Sequence, residues 1–182
     1  MKKNILVLTG SPRKGGNTDV LAGTFIKEAV LRGHNVTRYA TAYKKINGCL
    51  ACDKCWSSER ACNYKDDFAE LEPLLECADM LVFVSPLYWY GFSAQLKSAI
   101  DKLYSYCAAA YKRPLKIRES ALLMCGGDDL STFNGAVETY KNIVKFLKWE
   151  DRGMVIVPGM FNKGDIASNP QLKEAEILAG RI

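Results

Sequence analysis

Asn4-Ile5-Leu6-Val7-Leu8-Thr9, then Gly10, then Ser11-Pro12-Arg13-Lys14-Gly15-Gly16-Asn17-Thr18: an almost unbroken apolar run gives way to a polar turn with paired glycines. A short run without polar alternation is what a parallel strand covered on both faces requires. Beyond the turn, Val20, Leu21, Phe25, Ile26, Val30 and Leu31 recur at helical spacing, and Gly33 is placed to close that helix. The turn therefore joins the carboxyl end of a strand to the start of a helix. Its Ser and Thr hydroxyls, Asn amide and Arg fork surround glycines that let backbone N–H groups face one oxyanion-sized point. The positive end of the helix dipole adds to that attraction, so the turn reads as a phosphate cradle.

Two better-known cradles are excluded. A Walker loop counted from Gly10 reaches Gly15 on schedule but then needs Lys and Ser/Thr, where the chain has Gly16 and Asn17. The dinucleotide fingerprint G-x-G-x-x-G fails because Ser11 and Pro12 follow Gly10. A Ser/Thr/Asn-rich loop without the P-loop lysine suits a terminal monophosphate such as that of FMN.

The chain of 182 residues reads as a single domain, 1–182, large enough for a full core. No apolar run reaches the ~18 to 20 residues of a membrane span, and Met1-Lys2-Lys3 leads directly into the first strand, which predicts a cytoplasmic protein. The formal charge of +5 is dispersed, which argues for an anionic small ligand and against nucleic acid. Seven cysteines in a reducing compartment read as thiols or metal ligands rather than a disulfide framework.

In chain order, Val36-Thr37-Arg38-Tyr39 is the second strand, and the only histidine, His34, lies in its entry turn. Ligands of open α/β sheets bind beyond the carboxyl ends of strands, so His34 is expected to be a surface turn residue away from the chemistry. That removes Ser-His-Asp, Cys-His and histidine-ligated zinc sites together. Residues 41–66 form a long connection, and Asp67 is positioned to cap a helix carrying Phe68, Leu71, Leu74 and Leu75. Met80-Leu81-Val82-Phe83-Val84 is the third strand. Ser93 caps the next helix, where Leu96, Ile100, Leu103 and Cys107 share a face and Lys97 stands one turn from Asp101. After a basic connection at 108–118, Ala121-Leu122-Leu123-Met124-Cys125 is the fourth strand; Phe133, Val137, Tyr140, Val144 and Leu147 line a helix; and Met154-Val155-Ile156-Val157 is the fifth strand. Asn169 caps a last helix with Pro170 in its first turn. Cys77, Cys107 and Cys125 read as buried small apolar residues.

Five β/α units with right-handed crossovers specify an α/β three-layer sandwich around a five-stranded parallel sheet of order 2-1-3-4-5, the flavodoxin-like arrangement. The turns after strands one, three and four then converge on one edge. The second of these, Ser85-Pro86-Leu87-Tyr88-Trp89-Tyr90-Gly91, offers apolar and aromatic faces with free backbone N–H groups, as a flat heterocycle needs. Gly126 and Gly127 let another backbone segment approach the same ring. The aromatic trio at 88–90 is also compatible with a core or subunit contact.

Thr9-Gly10-Ser11-Pro12-Arg13 through Gly16-Asn17-Thr18, then Ser85-Pro86-Leu87-Tyr88-Trp89, then Lys97 to Asp101, resemble the flavodoxin-like NAD(P)H-dependent FMN reductases. The resemblance implies FMN held by its phosphate at Ser11, Arg13, Asn17 and Thr18, with Gly16 in the turn. It puts Pro86, Leu87, Tyr88, Trp89 and Gly91 beside the isoalloxazine, and Gly126 and Gly127 nearby. It further implies NAD(P)H as co-substrate, a small acceptor (flavin, quinone, nitroaromatic or metal ion) and a homodimer. The flavin carries such a reaction, so no catalytic side chain is required.

Cys49, Cys52 and Cys55 follow a C-x2-C-x2-C spacing, with six residues between Cys55 and Cys62. That spacing can fold around a [4Fe–4S] cluster and looks like the compact motif of the related iron-sulfur flavoproteins, which would pass single electrons. Zinc, or redox thiols at the flavin entrance, are the alternatives the spacing leaves open. A flavin-binding redox sensor is the non-enzymatic one.

Overall fold

The sheet forms from five all-parallel strands in the order β2-β1-β3-β4-β5. In the computed structural model, which describes residues 1–107 and 114–182, these are β1 (Asn4–Thr9), β2 (Asn35–Ala40), β3 (Met80–Pro86), β4 (Glu119–Cys125) and β5 (Glu150–Val157). Among the described residues four α-helices connect them, α1 (Asn17–Leu31), α2 (Phe68–Cys77), α3 (Ala94–Asp101) and α4 (Asn134–Leu147), and α5 (Leu172–Gly180) follows the last strand. The predicted fold and strand order hold. Part of the predicted connection, 108–113, lies outside the described residues.

The apolar runs are continuous because each inner strand feeds two cores by alternation. Leu6, Leu8, Leu81, Phe83, Leu122 and Met124 pack beneath α2, α3 and α4. Ile5, Val7, Val82, Val84 and Leu123 face Leu21 and Phe25 of α1 and Leu178 of α5. β2 and β5 are the sheet's edges and bury less of their length.

Several local readings change. Strands β2 to β5 extend beyond the predicted runs because parallel pairing continues into flanking polar residues. Val30 and Leu31 are exposed, since α1 meets the sheet through Leu21, Ala22, Phe25 and Ala29. Asp67 does not cap α2; Asp66 Oδ1 accepts from Phe68 N–H at 3.1 Å, while Asp67 accepts from Lys45 N–H at 2.7 Å. The regular part of α3 ends at Asp101 and continues as a 3-10 turn, Lys102–Tyr106. Pro170 stands in a turn ahead of α5, where Asn169 Oδ1 accepts from Gln171 N–H at 2.9 Å. Cys77 is exposed as the last residue of α2 and Cys107 half-buried just past the 3-10 turn that follows α3; Cys125 is buried as expected.

His34 lies at the amino edge as predicted, yet it is buried rather than a surface residue. Its Nδ1 accepts from Lys3 N–H at 3.2 Å. Burial and the charges of Lys3 and the N-terminus hold the imidazole below its usual range, which keeps it neutral and structural.

Candidate functional site

The phosphate turn is built on a contact between β1 and α3. Gly10 N–H donates to Val84 O at 2.8 Å, and Ser93 Oγ donates to Gly10 O at 2.8 Å. A Cβ at Gly10 would stand 2.3 Å from Ser93 Oγ and 2.7 Å from Leu96 Cβ, so only glycine fits there. Ser93 also caps α3, accepting from Leu96 N–H at 3.4 Å, and its own N–H donates to Ser85 Oγ at 2.9 Å. The hydroxyls of Ser85 and Ser93 thus tie the turn after β3 to the turn after β1.

Within the turn, Ser11 is buried and its Oγ accepts from Arg13 N–H at 3.3 Å. Gly15 has φ +63°, the left-handed region that favours glycine, and Gly16 leads into α1 in extended conformation. The first-turn N–H groups of α1 open toward this point. Arg13 and Lys14 are exposed beside it. Asp19 Oδ2 accepts from Gly15 N–H at 2.7 Å and pairs with Arg38. Burial alone would raise the Asp19 carboxyl; the Arg38 and Gly15 hydrogen bonds and the charges of Arg38 and Lys163 outweigh it and hold it low.

One predicted ligand has further partners. Asn17 Nδ2 donates to Asn162 O at 2.7 Å, while its Oδ1 accepts from Gly164 N–H at 3.0 Å and Ile166 N–H at 3.4 Å. Thr18 is buried, and burial pushes the Cys125 thiol up to about 12. Asn17 draws in the segment after β5 and brings Lys163 Nζ within 3.6 Å of where a Gly15 Cβ would be. This fourth carboxyl-end turn was not singled out from the sequence. The signal available was Pro158-Gly159 directly after a strand, followed by Phe161 and Lys163.

The turn after β3 is a tight hairpin. Tyr88 and Gly91 exchange backbone hydrogen bonds at 3.1 and 3.0 Å, and Trp89 and Tyr90 between them have φ of +45° and +63°. Positive φ at both central residues is type I′ geometry, normally filled by Asn-Gly, so a Trp-Tyr pair there is strained. Trp89 is 95% exposed at the tip. The strained backbone thus presents this aromatic ring to solvent rather than to the core.

Leu87 N–H donates to Cys125 O at 2.7 Å, which joins this turn to the end of β4. A Cβ on Gly126 would reach Phe133 at 2.8 Å and Leu87 at 2.9 Å; one on Gly127 would reach Phe161 at 2.8 Å. A cavity of about 530 Å³ opens at this edge, lined by Tyr90, Gly127, Asp128, Thr132, Pro158 and Phe161. An anion point with three nearby cations, apolar faces and glycines with no room for side chains together suit a flavin mononucleotide.

The cysteine loop stands beyond β2. Cys49 and Cys52 are exposed, Cys55 and Cys62 half-buried, and all four are thiols. Burial, then the neighbouring Cys52, Cys62 and Cys49, push the Cys55 thiol up. Ala51 and Asp53 take left-handed backbone. Among the described residues no three His, Cys, Asp or Glu side chains stand in metal-holding geometry. The all-sulfur donor set nevertheless has the chemistry that iron–sulfur clusters use.

Fold and edge together define a flavodoxin-like protein of the flavin-nucleotide-binding class. The pattern of the family described as NADPH-dependent FMN reductase matches residues 3–162, and the chain belongs to that family. FMN is that family's cofactor and NAD(P)H its reductant, as the resemblance implied. An iron-sulfur flavoprotein of Methanosarcina thermophila is 29% identical over 164 residues, covering 90% of this chain and 81% of that protein. YwqN of Bacillus subtilis, named as an NAD(P)H-dependent FMN-containing oxidoreductase, is 27% identical over 94% of this chain and 93% of that one. An iron-sulfur flavoprotein of Archaeoglobus fulgidus is 35% identical over 99 residues, which span 54% of this chain but only 44% of that protein. Among solved structures, the NAD(P)H:quinone oxidoreductase from Methanothermobacter marburgensis superposes with a TM-score of 0.78 at 19% identity, over 99% of this chain and 96% of that one. At that identity the likeness concerns the fold. Among the described residues no helix is long and apolar enough to cross a membrane.

Proposed function

We propose that this chain is an NAD(P)H oxidoreductase that binds one FMN across the turns after β1, β3 and β4 and reduces a small acceptor: free flavin, quinone, nitroaromatic or metal ion. When bound, FMN supplies hydride acceptance at N5 and onward electron transfer. Ser11, Arg13, Gly16, Asn17 and Thr18 hold its phosphate with the first-turn N–H groups of α1, and Asn17 also anchors the Lys163 segment. Pro86, Leu87, Tyr88, Trp89 and Gly91 flank the ring and keep water from one face. Gly126 and Gly127 give the β4 turn its close approach. The exposed Trp89 leaves an aromatic surface for a nicotinamide or acceptor to stack on. The reading includes a cytoplasmic homodimer.

The observation that carries this reading is the hydrogen-bonded convergence of Gly10, Ser85 and Ser93, which ties the first two turns into one edge. Steady-state NADH or NADPH oxidation with menadione or FMN as acceptor tests it. Negligible turnover in flavin-loaded protein would favour a redox sensor instead.

A second reading is supported by the spacing of Cys49, Cys52, Cys55 and Cys62 and by the relatives named iron-sulfur flavoproteins. In it the four thiolates would hold a [4Fe–4S] cluster, which would supply single-electron transfer between a ferredoxin-like donor and an acceptor. Anaerobic purification decides: a brown protein with about four iron and four sulfide per chain supports the cluster, and an iron-free yellow one removes it.

A further inference from the structure

Lys102 is buried, charged and outside the flavin edge. Its side chain and that of Asp66 are each 2% exposed, and Lys102 Nζ donates to Asp66 Oδ2 at 2.5 Å. A buried cation is expensive unless its surroundings are complete. Here the carboxylate partner is joined by two rings: the ammonium lies 5.2 Å from the Phe68 ring and 5.6 Å from the Tyr64 ring, and Asp66 also accepts from Asn47 N–H at 2.9 Å and Phe68 N–H at 3.1 Å. Asn47 precedes the first cysteine and Tyr64 follows the last, so this pair closes the neck of the loop that carries all four thiols. Asp67 adds a second closure, accepting from Lys45 N–H while its own N–H donates to Lys45 O at 3.1 Å.

The same 3-10 turn also touches the loop between its cysteines. Tyr104 Oη donates to Asp53 Oδ1 at 3.1 Å, and its ring meets that of Trp56 with centroids 5.2 Å apart. Asp53 lies between Cys52 and Cys55, and Trp56 follows Cys55. At its other end this α3 segment is pinned by Ser93 to the flavin edge. One rigid element therefore carries the flavin tie at its start and two contacts to the cysteine loop at its end.

We propose that Lys102 is a positioning residue for the cysteine quartet: its buried pair with Asp66 closes the loop's neck and holds Cys55 and Cys62 against α3 and α2. The inference deepens the cysteine-loop reading but depends on loop geometry, whatever the thiols hold.

Site-resolved alkylation by iodoacetamide, read by mass spectrometry on FMN-loaded, metal-free protein, tests it. In Lys102→Met, Cys55 and Cys62 alkylate roughly tenfold faster than in the native chain, while exposed Cys49 and Cys52 change little and buried Cys125 does not change. Lys102→Arg, which keeps the charge, restores rates to within about twofold. FMN content stays at the native level in each. Lys102→Met/Asp66→Asn removes the uncompensated carboxylate, so loop opening is measured even where the single variant unfolds. Native rates at Cys55 and Cys62 in the double variant overturn the proposal, and so does global unfolding of both variants, which would assign the pair to the core. A parallel iron and sulfide reconstitution separates the readings. Native protein that takes up no iron removes the cluster, whereas the alkylation result still decides the role of Lys102.

Discussion

Replacing Gly10 with Ala places a methyl group where the structure has no space. The new Cβ would lie 2.3 Å from Ser93 Oγ and 2.7 Å from Leu96 Cβ, and real Cβ contacts essentially never fall below 3.0 Å. Ser93 Oγ must therefore retreat by at least about 0.7 Å, which strains its 2.8 Å bond to Gly10 O and the 3.4 Å bond it accepts from Leu96 N–H. Overpacking of this kind costs about 1–3 kcal/mol, and each hydrogen bond lost adds about 1 kcal/mol. For a chain of this size a loss of about 2–4 kcal/mol lowers the melting temperature by on the order of 5–15 °C. The shift also separates the β1 turn from the β3 turn, so FMN affinity should fall by about tenfold or more, equivalent to about 1.4 kcal/mol. Quenching of FMN fluorescence by apoprotein gives the affinity, and a melt of the same apoprotein gives the stability. Gly10→Ala protein that binds FMN within twofold of native and melts at the native temperature would refute the claim that this contact assembles the site.

Arg13→Ala should weaken FMN binding by about tenfold through loss of a charge-assisted phosphate contact, whereas His34→Ala, at the opposite edge, should leave the affinity unchanged; equal affinities in the same titration would remove Arg13 from the site. Trp89→Asn with Tyr90→Gly gives the hairpin its favoured type I′ residues and should stabilise the protein by about 1–3 kcal/mol while lowering turnover with quinone, which a paired melt and rate assay will show. Asp19 is held low in the folded chain, so its contribution is present above its unfolded value of 3.8 and is lost as pH falls through the folded value. Stability of the native apoprotein should thus decline on acidification below that range more steeply than in Asp19→Asn, and parallel pH–melt curves would contradict it.

The fold was legible because continuous apolar runs such as Met80 to Val84 have few other places to go than the middle of a parallel sheet. The convergence of the turns after β1, β3 and β4 on one edge followed from topology, since carboxyl-end turns share one side of the sheet whatever their separation in sequence. What escaped depends on contacts that spacing does not encode. Asn17 bonds a segment about 145 residues away, and nothing local to Asn17 distinguishes that partner from a phosphate. Phe161 and Lys163 carry no motif and gain their place from that bond. Asp66 and Asp67 are equivalent on paper; Lys102 on one side and Lys45 on the other decide which acid caps α2. The burial of His34 and exposure of Cys77 turn on how far the neighbouring elements extend. The cysteine spacing was plain, but the tie of its loop to α3 was not.

The most direct test of the account is the visible spectrum of the purified chain titrated anaerobically with FMN and then with NADPH. Saturation at about one FMN per chain and bleaching of the flavin band by NADPH are expected. A protein that stays colourless in excess FMN would contradict it.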